Sequence, residues 1–110
     1  MAYDEDLADR IRVVLQHVDG VTEKHMFGGH AFLVGGHMAV AASSKGGLML
    51  RCDPARTEGL LQEPGVGPME MRGKELDGWL RLDASAVSTD DDLARWVEVG
   101  HAYVRALPPK

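Results

Sequence analysis

The chain has 110 residues and a formal net charge of −5, with 45% apolar and 26% charged residues. This length makes one domain over residues 1–110, and folding at this size buries roughly two-thirds of the surface of the unfolded chain. The negative charge disfavours non-specific binding to nucleic acid, because such binding depends on neutralisation of phosphates by Lys and Arg. The single cysteine excludes an internal disulfide and is typical of a reducing cytoplasm.

The N-terminal residues 1–6 include three acidic residues and lack the apolar segment of a signal peptide. No apolar run in the sequence approaches the ~20 residues that a membrane-spanning helix needs. We therefore expect a cytoplasmic protein without a membrane segment.

Three segments have helical spacing or a clear helix start signal. The first covers residues 4–18 and has three carboxylates in its first turn, where the helix dipole favours negative charge. The second covers residues 54–62 and uses Asp53 as its N-cap. The third starts at a capping Thr89, and two prolines after residue 107 close it.

Short apolar segments separated by turn residues predict five to six strands. Only short connections join successive strands, so the sheet should be mainly antiparallel. The chain is therefore predicted to be a two-layer α+β domain with its helices packed on the sheet, in the order α-β(3-4)-α-β(2)-α. The predicted strands are residues 21–27, 30–34, 37–42, 48–51, 69–71 and 79–82, with Gly73 and Asp77-Gly78 in the last link.

The Gly35-Gly36 pair predicts a β-hairpin, because two-residue turns need the positive φ that glycine reaches without strain. Both faces of this hairpin then look apolar, whereas a sheet with one solvated face alternates more cleanly. Either helices cover both faces or a second subunit covers one, and we expect a homodimer through the hairpin region. The predicted register pairs Val34 with His37, Phe32 with Ala39 and His30 with Ala41; one face holds Ala31, Leu33, Met38 and Val40, and the other holds Phe32, Val34, Ala39 and Ala41.

Three histidines within residues 25–37 suggest a metal site as one interpretation. His30 and His37 share a face of the predicted hairpin but lie roughly 13 Å apart, at ~3.3 Å per residue. Zinc holds its nitrogen ligands about 2.0–2.1 Å away, so these two cannot easily bind one ion. His25 with His30, helped by Met26 or Cys52, stays open as an alternative. No CxxC or HExxH spacing supports it, and we expect no metal and no cofactor.

Cys52 is the remaining candidate for reactivity. Arg51 and the predicted helix start after it would both lower the pKa of its thiol. We favour the simpler interpretation of a small apolar residue at the end of a strand. No acidic pair, Ser-His-Asp order or phosphate-cradling loop is convincing, and neither Gly28-Gly29 nor Gly35-Gly36 belongs to a GxGxxG motif. We therefore expect no enzymatic activity.

Several segments resemble the N-terminal domain of the TfoX/Sxy family: residues 1–7, 21–29 and 107–110, with weaker similarity around Met69 and Trp79. This resemblance implies a compact α+β domain. It also implies a non-enzymatic regulatory or partner-binding module, like the bacterial competence regulators that act alongside a cyclic-AMP-responsive transcription factor. The most specific part is a Lys-x-Met-Phe-Gly-Gly segment, formed by Lys24, Met26, Phe27, Gly28 and Gly29.

On this resemblance, the motif residues are the candidate binding surface, and a protein is the expected partner. The full-length regulators carry a second, C-terminal helical domain, and this chain ends at Lys110 without one. We therefore expect a stand-alone domain for which a competence role and direct binding to nucleic acid are both doubtful. The alternative function is a small-ligand or metal-binding domain that uses His25 and His30.

Overall fold

The computed structural model describes residues 3–26, 29–71 and 73–108. Its helices and strands follow the predicted order. Within the described ranges, no helix is both long enough and apolar enough to cross a membrane. The elements are α1 (Glu5–Val14), β1 (Val21–Met26), β2 (Gly29–Val34), β3 (His37–Ala42), β4 (Leu48–Arg51), a 3₁₀ turn (Pro54–Arg56), α2 (Thr57–Leu60), β5 (Val66–Met71), β6 (Lys74–Leu82), a second 3₁₀ turn (Ala84–Val87) and α3 (Asp90–Arg105).

The predicted N-caps Asp53 and Thr89 are confirmed, because each accepts a hydrogen bond from a backbone N–H of the following turn, at 2.9 and 3.1 Å. Asp4, which was expected inside the first turn, caps α1 in the same way by accepting from the Leu7 N–H at 3.1 Å. The first two helices are shorter than predicted. The chain tightens into i→i+3 hydrogen bonds after Val14, and the second helix is divided between a 3₁₀ turn and the single-turn α2.

The six strands form one antiparallel sheet in the order β1-β2-β3-β4-β6-β5. This arrangement confirms the predicted α+β class. The prediction that Asp77-Gly78 lies in a link is wrong, because both residues belong to β6. Hydrogen bonds hold the backbone there: Gly78 accepts from the Cys52 N–H at 2.8 Å and donates to Thr57 Oγ1 at 2.8 Å.

The β2–β3 hairpin contains a bulge that changes its predicted register. Val34 lies opposite His37 as predicted, but the pairs beyond Leu33 are displaced by one residue. A bulge places two residues of one strand against one of the other, so it moves the following side chains to the opposite faces. The observed pairs are Val34 with His37, Leu33 with Met38, Phe32 with Val40, Ala31 with Ala41 and His30 with Ala42.

Each face of the sheet carries its own buried cluster. The main core joins α1 and α3 to one face and contains the largest fully buried side chains, Trp96 and Phe32. The second, which we call the methionine cluster, consists only of strand residues. Flexible methionine side chains fill the space around small alanines there. Its members are Ala31, Met38, Ala41, Met49 and Met69, with the half-buried Leu33 and Trp79 against them.

These clusters overturn the argument for an exposed apolar face. Phe32, Val34, Ala39 and Ala41 are all at most 8% exposed within a single chain. The bulge also divides them, because Phe32 belongs to the main core and Ala41 to the methionine cluster. These four apolar residues are therefore buried within a single chain, and Leu33 is half-buried.

Candidate functional site

The family-motif segment lies at one end of the hairpin formed by β1 and β2. Lys24 is exposed on β1, Met26 ends that strand, and Gly29 begins β2. Phe27 and Gly28 lie outside the described residues. Strand β1 is an edge of the sheet, so no strand of the described residues pairs with its outer backbone groups.

The close approach of two strands requires glycine at position 29. A Cβ built on Gly29 would lie 2.3 Å from the carbonyl oxygen of Ala42, on β3. Backbone on both sides of this contact leaves no flexible side chain that could move away. This part of the motif is therefore explained by packing and does not need a ligand.

The histidines next to the motif lie together, as the sequence suggested. His25 and His30 are register partners, and their ring centroids are 5.2 Å apart in an edge-to-face arrangement. Tyr3 stacks on His30 at 5.0 Å between centroids. We call Tyr3, Arg12, Glu23, His25 and His30 the β1–β2 polar cluster.

Glu23 is the electrostatic centre of this cluster. Arg12 grips both of its carboxylate oxygens, with Nε 2.8 Å from Oε2 and Nη2 2.6 Å from Oε1. His30 Nε2 lies 2.6 Å from the same Oε1. These hydrogen bonds, chiefly those from Arg12, lower the pKa of Glu23 to about 2. The hydrogen bond to Glu23 likewise raises the pKa of Arg12 above its ordinary value.

The contact with Glu23 indicates which ring nitrogen of His30 donates a hydrogen bond. An ionised carboxylate can only accept hydrogen bonds, so His30 Nε2 carries a proton and donates it. The side chain of His30 is 12% exposed, and its Nδ1 has no hydrogen-bond partner. His37, the other strand histidine, is held elsewhere by a 2.7 Å contact from its Nε2 to the carbonyl oxygen of Pro108.

The cluster does not assemble a metal site from the described residues, which contain no group of three His, Cys, Asp or Glu placed to hold an ion. Cys52 lies in the main core and directly follows β4. Strand β3 lies between β4 and β2, so Cys52 is separated from the strand that carries His30. Burial raises the pKa of its thiol. The simpler interpretation of Cys52, as a small buried residue, is therefore confirmed.

Sequence reasoning missed the ion pairs of this site. Arg12 and Glu23 are eleven residues apart, and α1 must pack on the sheet before they meet. The periodic patterns of the sequence do not indicate such a contact. The stacking of Tyr3 on His30 is hidden for the same reason.

Residues 14–103 match the family model of the TfoX N-terminal domain. The matched range covers all six strands and most of α3. The chain belongs to the TfoX N-terminal domain family. No curated protein and no solved structure gives a significant match to it. Tyr3 and Arg12 precede the matched region of this TfoX N-terminal domain, whereas Glu23, His25 and His30 lie within it.

Proposed function

We propose that this TfoX N-terminal domain is a non-enzymatic regulatory module that binds a protein partner through β1 and the β1–β2 polar cluster. The observation that carries the proposal is the fixed, charged surface of an edge strand. Residues 22–25 are all exposed, and Arg12 clamps their central carboxylate in place. A surface that is ordered before binding loses less conformational entropy when a partner docks.

Several features favour a binding module over an enzyme. The thiol of Cys52 is buried and weakly acidic, which makes it a poor nucleophile. The Nε2 proton of His30 is already engaged by Glu23, so this imidazole is occupied as a structural donor. The family resemblance to transcription and competence regulators, together with the single cysteine, supports a regulatory role in the cytoplasm.

The experiment is capture of partners from native lysate with three forms of the chain. Lys24→Glu reverses a charge on the proposed surface, and Lys74→Glu makes the same change at an exposed residue of β6. We expect the wild-type domain and Lys74→Glu to retain the same stoichiometric partner and Lys24→Glu to lose it. Equal retention by all three forms, or no specific partner for any, would contradict the proposal.

A homodimer through the hairpin stays a prediction, but it no longer rests on an exposed apolar face there. Among the described residues, Val13 on α1 is the large apolar side chain that is exposed, at 61%. Light scattering tests the oligomeric state. A concentration-independent mass of one chain would contradict the dimer, and a dimer that Val13→Asp dissociates would move the contact from the hairpin to α1.

Binding of a metal ion or small ligand at His25 and His30 is the second candidate function. The observation in its favour is the unpartnered Nδ1 of His30, close to the ring of His25. Elemental analysis of protein purified without chelator tests the metal. About one zinc or copper per chain, lost in the His25→Ala/His30→Ala double variant, would favour this function over the partner-binding module.

A further inference from the structure

A cleft at the opposite end of the sheet is lined by two basic side chains, Lys45 and Arg81. It lies between the turn at residues 43–47 and strands β5 and β6, with a volume of about 410 Å³. An adjoining cleft of about 220 Å³ shares two of its side chains, Lys45 and Arg81. We call the two together the Lys45–Arg81 cleft. Its volume lies within the range of roughly 300–1,000 Å³ that is usual for small-molecule sites.

Arg81 is the unusual residue of this cleft. Three described arginines are half-buried, and two of them have partners for their guanidinium groups. Arg10 binds Asp90 and the carbonyl oxygen of Val87, and Arg51 stacks on aromatic rings. The guanidinium of Arg81 makes no hydrogen bond, ion pair or ring contact with any described residue. An arginine that lines an open cleft without a protein partner leaves its guanidinium donors available to a ligand.

The rest of the cleft leaves space beside this guanidinium. Gly67 lies directly opposite Arg81 on β5, so no side chain from that position fills the cleft. Lys45 is exposed on the neighbouring turn and also has no ion pair with a described residue. A guanidinium and an ammonium that border one cavity provide a planar donor pair and a second positive charge, the combination that suits a phosphate.

We propose that the Lys45–Arg81 cleft binds a small phosphate-bearing molecule. Its phosphate would lie between the two cations. The larger cleft also contains the carboxylate of Asp83, and Glu70 borders the smaller one. These acids repel a bare polyanion and accept hydrogen bonds, so the expected ligand is a phosphomonoester whose organic part carries hydroxyl or amino groups.

Small size and local charge separate this ligand from nucleic acid. Each cleft has two cations and one carboxylate, whereas the whole chain carries a net charge of −5. A local positive site on an acidic protein favours a single phosphate over the repeated phosphates of a nucleic-acid backbone.

The test is a titration with glycerol phosphate and phosphoethanolamine, two phosphomonoesters that carry a hydroxyl or an amino group, followed by the amide NMR signals of Gly46 and Gly47. Sodium chloride and sodium acetate at matched ionic strength are the control titrations. We expect both phosphates to cause saturable shifts at these two glycines, and acetate and chloride to cause none. Ordinary electrostatic screening does not saturate at one site, so saturation distinguishes a bound phosphate from a salt effect.

Four variants locate the binding. Arg81→Gln should weaken phosphate binding by roughly 10- to 100-fold, the range expected for loss of a charge-assisted hydrogen bond. Lys45→Gln changes an exposed residue and should weaken binding less. Gly67→Val should place a side chain in the cleft and block it without removing a charge. The variant should still fold, because a Cβ at position 67 would meet nothing closer than 4.0 Å. Arg56→Gln removes an exposed arginine outside the cleft and should change nothing.

The proposal fails if wild-type protein shows no saturable phosphate shifts. It also fails if acetate binds as well as phosphate, or if Arg56→Gln weakens binding as much as Arg81→Gln. Saturable binding of a single-stranded oligonucleotide, without binding of either small phosphate, would replace it with a nucleic-acid surface. None of these outcomes depends on the protein partner proposed for β1.

Discussion

The carboxylate of Glu23 and the imidazole of His30 meet at 2.6 Å, although the two residues are not cross-strand partners. Glu23 pairs with Phe32 in the ladder, and His30 reaches it diagonally. Arg12 holds the same carboxylate from α1. One acidic side chain thus fastens both the second strand and the first helix to the edge strand of the sheet.

This arrangement predicts a pH-dependent stability. The folded state lowers the pKa of Glu23 to about 2, so its contribution is complete above the ordinary pKa of about 4.5 and is lost as the pH falls toward 2. Because the pair is partly exposed, we expect Glu23→Gln to lower the free energy of unfolding by about 1–2 kcal/mol at pH 7. Urea unfolding of both proteins should show this difference shrinking toward zero near pH 2. An equal difference at both pH values would contradict it.

The contact at Gly29 predicts a large effect from one methyl group. Gly29→Ala would place a Cβ 2.3 Å from the carbonyl oxygen of Ala42, and the two strands would have to separate. We expect a loss of about 1–3 kcal/mol in the free energy of unfolding, as for other overpacked sites. Gly59→Ala is the matched control. It has no atom within 4 Å of the new Cβ, and its helical position should gain from alanine.

Removal of the buried hydroxyl of Thr57 is predicted to destabilise the protein. Its Oγ1 accepts the N–H of Gly78 at 2.8 Å, and the residue is 7% exposed. Thr57→Val keeps the shape of the side chain but leaves this buried N–H unpaired, so the free energy of unfolding should fall by about 1–3 kcal/mol. Thr57→Ser retains the oxygen and should lose less. Chemical denaturation would contradict the explanation if serine and valine were equally destabilising.

Cys52 is predicted to be unreactive in the native protein. Burial raises the pKa of its thiol, which reduces the thiolate fraction, and the side chain is 0% exposed. Ellman's reagent at pH 8 should therefore modify the native chain only as fast as the chain unfolds, and urea should make the reaction rapid. Immediate stoichiometric reaction without denaturant would show that the thiol is accessible.

We predict that the domain binds duplex DNA weakly or not at all. Four described arginines are neutralised by ion pairs: Arg10, Arg12, Arg95 and Arg105. Few phosphates could then be neutralised at once, and affinity at physiological salt should be low. Fluorescence anisotropy tests this. Micromolar or tighter binding with a steep salt dependence would contradict it.

The β2–β3 hairpin shows how far local signals reach. Gly35-Gly36 placed the turn correctly, because glycine adopts without strain the positive φ that both residues have there. The bulge two residues earlier had no such signal. The bulge pairs Phe32 with Val40 and places both in the main core, so the predicted faces of the hairpin were wrong for Val40 and Ala41.

The sequence by itself determined the helix starts and the order of the strands along the chain, because caps, turn glycines and apolar spacing act over a few residues. The Lys-x-Met-Phe-Gly-Gly segment indicated the family. The tertiary structure decided which distant side chains meet. Glu23 finds Arg12 only when α1 packs on the sheet, and Arg81 faces an open cleft only because Gly67 is its neighbour across the β5–β6 ladder. Such contacts depend on the packing of whole elements, and local periodicity does not record them.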